Sequence, residues 1–142
     1  MNLKTDFIKK LRNSGLRPTK QRIKICKVLF DTEKTFHFTI NDLVKIIREK
    51  LSQKISLATV YNTVHAFKKK GYLKEISINS DKNYFDTNTS IHHHFYDEDT
   101  NELIDCDVNA IDSVNVKNNI TGKKINSVEV LIKVASDTQN QN

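Results

Sequence analysis

The 142-residue chain has no tryptophan, one proline, three glycines and two cysteines. So few glycines exclude Gly-rich phosphate loops and collagen-like repeats. Two cysteines, Cys26 and Cys106, cannot build a disulfide framework or a four-thiolate zinc knot. No apolar run approaches the 18 residues of a membrane-spanning helix, so no membrane partner is expected. With 37% hydrophobic and 8% aromatic residues, the chain supports a modest core rather than a large enzyme with an enclosed cavity. The opening MNLKTDFIKKLRNSG is amphipathic and carries Asp6. It lacks the continuous apolar stretch of a secretory signal, so a reduced, cytoplasmic protein is expected.

What is present is charge, unevenly placed. The net charge is +6. Residues 1–80 hold 18 Lys/Arg against 6 Asp/Glu, and residues 81–142 hold 5 against 11. A basic half beside an acidic one is the electrostatic footprint of a protein that meets an anionic polymer. A solvated lysine-rich surface produces the same arithmetic, so charge alone does not decide the matter.

The apolar spacing of Leu3, Phe7, Ile8 and Leu11 predicts a helix over 3–13, stopped at Ser14-Gly15. Thr19 caps a second helix over 20–31. Thr39, with Asp42 three residues on, starts a third helix in a capping-box pattern. Ser56 caps a fourth, 57–70, ended by Gly71. Val60, Val64 and Phe67 form its inner side, and Tyr61, His65 and Lys68 lie elsewhere. YLKEISIN and NYFD then read as two strands around Ser80-Asp81-Lys82. Helix, link, helix, ribbon is the order of a winged helix-turn-helix, whose last helix enters the major groove. In the acidic half, HHHFYD and ELIDCD form a hairpin, Val108 to about Asn118 a short helix, and Asn126–Ala135 an alternating strand. The expected fold is α+β: a winged-helix DNA-binding domain over 1–83, a small α/β domain over 84–135, and a disordered tail over 136–142.

The chemistry concentrates at three consecutive histidines. Strand alternation projects His92 and His94 to one face and His93 to the other. A turn at 98–101 sets His94 opposite Asp105, bringing a carboxylate to the imidazoles. Asp86 lies a few residues upstream. A mixed nitrogen and oxygen set suits Zn²⁺, Fe²⁺ or Mn²⁺, and the lack of thiolates argues against a soft metal. Three ligands can come from this domain, with a further one from elsewhere. His37, between Phe36 and Phe38, is weak by itself.

Several segments resemble the ferric uptake regulator family over about Gly15–Val134. GLRPTKQR (15–22) is similar to its N-terminal signature, and TFHFTINDL (35–43) to its His-bearing segment. ISLATVYNTVHAFKKKGYL (55–73) resembles its DNA recognition helix, and YFDTNTSIHHHFYDEDTNELID (84–105) its metal-binding stretch. The resemblance implies that His37, Asp86, His92, His94 and Asp105 are regulatory metal ligands, with His37 from the DNA-binding half and the others from the second half. It likewise implies that Arg17 enters the minor groove and Tyr61 packs on thymine methyls. Asn62 takes a position held by Arg or Asn in family members. The two CxxC pairs of many members are missing, and Ser127 stands about where those members carry a late histidine. The triple histidine without CxxC is more similar to the iron response regulator branch, which regulates iron and haem metabolism genes. That resemblance implies a divalent metal as cofactor and offers haem, or a second metal, at His93 as an alternative, although the branch's Cys-Pro motif is absent: the single proline, Pro18, follows Arg17.

The expected function is therefore a metal-responsive, homodimeric repressor on palindromic double-stranded DNA operators. Lys20, Arg22 and Lys68 would contact phosphates, and Tyr61 and Asn62 would read base edges. Residues 126–134 would pair or pack in a two-fold dimer. The rivals are a haem- or metal-binding protein without operator preference and a small metal-dependent hydrolase. No HExxH helix supports the latter.

Overall fold

The computed structural model describes residues 2–137, which divide into two compact units meeting at Thr89 and Ser90.

The first unit runs α1 (Leu3–Asn13), α2 (Lys20–Phe30), β1 (His37–Phe38), α3 (Ile40–Leu51), α4 (Leu57–Lys70), β2 (Lys74–Ser77) and β3 (Asn83–Asp86). The helices start where a side-chain oxygen can serve an orphan backbone amide. Thr19 accepts from the Arg22 amide, and Ser56 from the Thr59 amide. Thr39 and Asp42 form the reciprocal capping box. Gly71 ends α4 at φ 94°, a left-handed conformation that a β-carbon disfavours. One core cluster draws on every helix, including Leu11 from α1, Leu29 from α2, Leu43 from α3 and Phe67 from α4, and is completed by Phe38 and Phe85 from the sheet. Cys26 is fully buried in it, and burial pushes its thiol up to about 12. It is a packing residue, not a nucleophile.

The sheet order is β1-β3-β2, antiparallel throughout. The pair of residues forming β1 falls in a stretch whose composition reads as loop. It becomes strand only because β3 offers a free edge, pairing His37 with Asp86 and Phe38 with Phe85. This moves the boundary expected at 83/84: β3 is the central strand of the first sheet, so residues 84–89 belong with the first unit.

The second unit contains β4 (His94–Asp97), β5 (Glu102–Asp105) and β6 (Leu131–Val134), in the order β5-β4-β6. The β4–β5 hairpin has the expected register, Asp97 opposite Glu102 and His94 opposite Asp105. Its turn is held by Asp97 Oδ1, which accepts from the Asp99 and Thr100 amides. β6 pairs parallel to β4.

Three expectations about this unit need correction. No helix forms between Val108 and Asn118. That stretch is rich in Asn, Ser, Asp and Val, which favour non-helical backbone, and Val108 and Val116 are exposed with no face to pack against. The strand expected over 126–135 shrinks to Leu131–Val134, the length over which β4 can pair with it. The tail expected from residue 136 is anchored at its start: Asp99 Oδ2 accepts from the Ser136 amide at 2.6 Å and its hydroxyl at 2.5 Å. Residues 138–142 lie outside the described residues. Among the described residues no helix is long and apolar enough to cross a membrane.

Candidate metal centre and nucleic-acid interface

In the second unit the alternation expected of the histidine triplet is present. His92 Nε2 and His94 Nε2 converge on one oxygen, Asp105 Oδ1, at 3.4 Å and 3.2 Å. The two rings lie 4.4 Å apart, tilted by 55°. The three residues bring ligand atoms within 4.8 Å of one another. His92 Nδ1 sits 2.7 Å from the Ser90 carbonyl, which only accepts, so that nitrogen carries the proton. In the neutral ring Nε2 then points a lone pair at the carboxylate. A lone pair facing an anion is repulsive unless a cation lies between them. Backbone orientation of this kind is how proteins select the ligating nitrogen. The donor set fits a borderline divalent cation.

His93 is used differently. Its Nδ1 accepts from the Val130 amide at 2.9 Å, and its carbonyl accepts from the Cys106 amide at 2.9 Å. The ring ties β4 to the segment entering β6 and leaves Nε2 as the protonated nitrogen of the neutral form.

The first unit holds the other two expected ligands on adjacent strands. His37 of β1 and Asp86 of β3 are register partners. Asp86 is 1% exposed, and its Oδ1 accepts from the Asn88 amide. His37 packs edge-on to Tyr84, 6.1 Å between ring centroids. The resemblance implies that Asp86 comes from the second half, but its strand lies in the first unit with His37.

The same unit carries the basic surface. Residues 1–89 hold 19 Lys/Arg against 8 Asp/Glu, and residues 90–142 hold 4 against 9. Arg17, Thr19, Lys20, Gln21, Arg22 and Thr59 line a depression at the start of α2. Arg22 Nη1 donates to the Arg17 carbonyl at 2.9 Å, shaping this loop. On α4, Tyr61 and Asn62 are exposed while Val60, Thr63, Val64 and Phe67 face inward. Lys68 is engaged: its Nζ lies 2.9 Å from Glu75 Oε2 of β2, so its charge is partly spent inside the fold. His65 is not among the expected site residues, yet its ring packs against that of Tyr61 in a tilted contact, and the i,i+4 spacing is the available signal.

The sequence profile of the ferric uptake regulator family matches residues 13–134. The chain belongs to this family. It is 32% identical over 109 residues to the peroxide-responsive repressor PerR of Staphylococcus epidermidis, covering 77% of this chain and 71% of that one. It is 30% identical over 121 residues to the peroxide operon regulator of Bacillus subtilis, covering 84% and 81%. Both are peroxide regulators rather than iron response regulators. Among solved structures, the ferric uptake regulator of Vibrio cholerae superposes with a TM-score of 0.66 at 23% identity, covering 91% of this chain and 98% of that one. The manganese-containing ferric uptake regulator of Pseudomonas aeruginosa gives 0.64 at 21% identity, with 92% and 97% coverage. At such identities the likeness concerns the α+β fold alone. Members of the family are metal-responsive transcription regulators that bind DNA and act as dimers. This chain is accordingly a DNA-binding regulator and not an enzyme, and the hydrolase alternative falls.

Proposed function

We propose that the chain is a divalent-metal-dependent repressor that binds a palindromic operator as a homodimer. His37, Asp86, His92, His94 and Asp105 would hold the cation. The observation that carries this reading is the convergence of two imidazoles on one carboxylate oxygen, with the His92 tautomer set by the Ser90 carbonyl. Solved relatives contain manganese, iron or zinc, and the nitrogen and oxygen donors here suit the same three. A bound cation supplies positive charge that stabilises whichever arrangement of its ligands matches the operator. It shifts DNA binding only by its differential affinity for that arrangement.

Within the first unit, Lys20 and Arg22 at the start of α2 would contact phosphates and Arg17 would enter the minor groove, a reading supported by the depression that they line. Tyr61 and Asn62 present exposed side chains to base edges. Lys68, which pairs with Glu75 in the free chain, is a further proposed phosphate contact. Residues 126–134 are proposed as dimer contacts, which would make half-sites two-fold related. The divalent cation does not need His93, whose ring accepts from the Val130 amide.

Titrating operator DNA with and without Mn²⁺ tests the reading. A coupling of 1–3 kcal/mol corresponds to about 5–150-fold tighter binding with metal, and His92→Ala should abolish the difference. Identical metal responses in native and variant protein would refute the site.

A second reading concerns the signal. The absence of CxxC pairs and the HHHFYD run favour iron-response regulation of iron and haem genes. The names of the two curated relatives favour a response to peroxide. DNA release on adding peroxide to Fe²⁺-loaded but not Mn²⁺-loaded protein supports the peroxide reading. Release by free haem alone supports the other.

A further inference from the structure

The exposed tyrosine of α4 rests on a built support. Tyr61 is 51% exposed, yet its ring lies 4.1 Å from that of His65, tilted by 42°. In a helix the Cα–Cβ bonds lean toward the N-terminus, so residue i+4 lies back over residue i. That places the half-buried imidazole under the phenol ring. His65 in turn meets Phe85 of β3 edge-on, at 5.4 Å and 82°. Phe85 is 2% exposed and stacks on Phe38 of β1 at 6.0 Å. The exposed ring is thus joined to the core through one intermediate ring.

We propose that His65 is the positioning residue for Tyr61: it holds the phenol in its DNA-facing orientation before docking, using Phe85 as its own anchor. This rests on the reading of Tyr61 as a base-contacting residue. An unsupported exposed tyrosine samples several rotamers and must be ordered when it binds. One already packed against a neighbouring ring loses less freedom, and the gain appears only where the ring makes a specific contact. His65 therefore affects discrimination between sequences rather than general attraction to phosphates.

The test uses the 142-residue chain loaded with Mn²⁺. One duplex is selected by that protein from random sequence, and a second has the same bases shuffled. His65→Ala should weaken binding to the selected duplex about 2- to 10-fold, the scale of one aromatic pair, with the shuffled duplex unaffected. His65→Phe, which restores a flat ring, should recover most of the loss. In a Tyr61→Ala background His65→Ala should cost nothing more. NMR of ring-labelled tyrosine should show the Tyr61 ring-current shift lost in His65→Ala and kept in His65→Phe. If Tyr61→Ala reduces discrimination but His65→Ala does not, or if the two losses add, the positioning role is wrong and base reading stands. If Tyr61→Ala leaves discrimination intact, base reading fails and takes this inference with it. Should His65→Ala not fold, His65→Leu against His65→Phe decides. Equal discrimination in those two overturns the proposal, and a loss confined to His65→Leu supports it.

Discussion

The two units bury their apolar side chains very differently. The first encloses a continuous core fed by four helices and a sheet. Among the described residues of the second, only Tyr96, Leu103 and Cys106 are buried apolar side chains, while Ile91, Ile104, Val108 and Ile120 are exposed. A unit this short seldom supplies enough burial to offset chain entropy by itself. The basic unit can be stable from its own contacts. On the proposed function, the acidic one would draw stability from a cation at its histidine–aspartate cluster and from a second copy of the chain, so its stability would follow ligand and protomer concentration.

The sharpest way to break this contrast is to damage the first core. Phe67→Ala should lower stability by about 3–5 kcal/mol. All described helices belong to the first unit, so far-UV circular dichroism in guanidinium reads that unit directly. A loss under 1 kcal/mol would mean that its core is not self-sufficient.

The second unit should respond to metal instead. On the proposed site, Mn²⁺ at a hundredfold excess over its Kd adds about 2.7 kcal/mol to native protein. His94→Ala should remove that increment. Amide exchange of β4 and β5 with and without chelator measures it, and protection independent of metal would contradict the dependence.

A smaller effect belongs to the capping box. Thr39→Ala should cost about 1 kcal/mol, by loss of the Asp42 amide's acceptor. Thermal melts of the two proteins at equal metal loading compare them.

The least effect lies in the second unit's turn. Hydrogen bonds from the Ser136 hydroxyl and amide hold the Asp99 carboxyl below its ordinary 3.8. A carboxyl lowered in the folded state adds stability above its unfolded value and loses it as pH falls through the folded one. The Ser136 anchor should therefore persist at neutral pH and release only below about pH 4, the ordinary carboxylate value. The Ser136 amide shift in an acid titration follows it, and release near pH 6 would contradict the assignment.

The parts legible in the sequence share a cause. Thr19, Thr39, Ser56 and Gly71 mark helix ends because capping is settled within four residues. The hairpin register followed from a short turn and strict alternation, so His94 could be set opposite Asp105 from letters alone. His92 and His94 as a pair followed from the same alternation. Tyr61 was placed outward because Val60, Val64 and Phe67 claim the inner face.

The tertiary structure decided what depends on distant partners. The β1 strand exists through β3, fifty residues away in sequence, and this pairing moved Asp86 into the first unit beside His37. The helix expected after Val108 had no surface to bury its apolar side chains against. The Val130 amide met the His93 ring and tied β4 to the segment entering β6, and Phe85 lay behind His65. Local chemistry in the sequence determined where elements begin, end and turn. Only folding determined which edges and rings meet, because those energies arise between residues whose separation along the chain carries no signal of their contact.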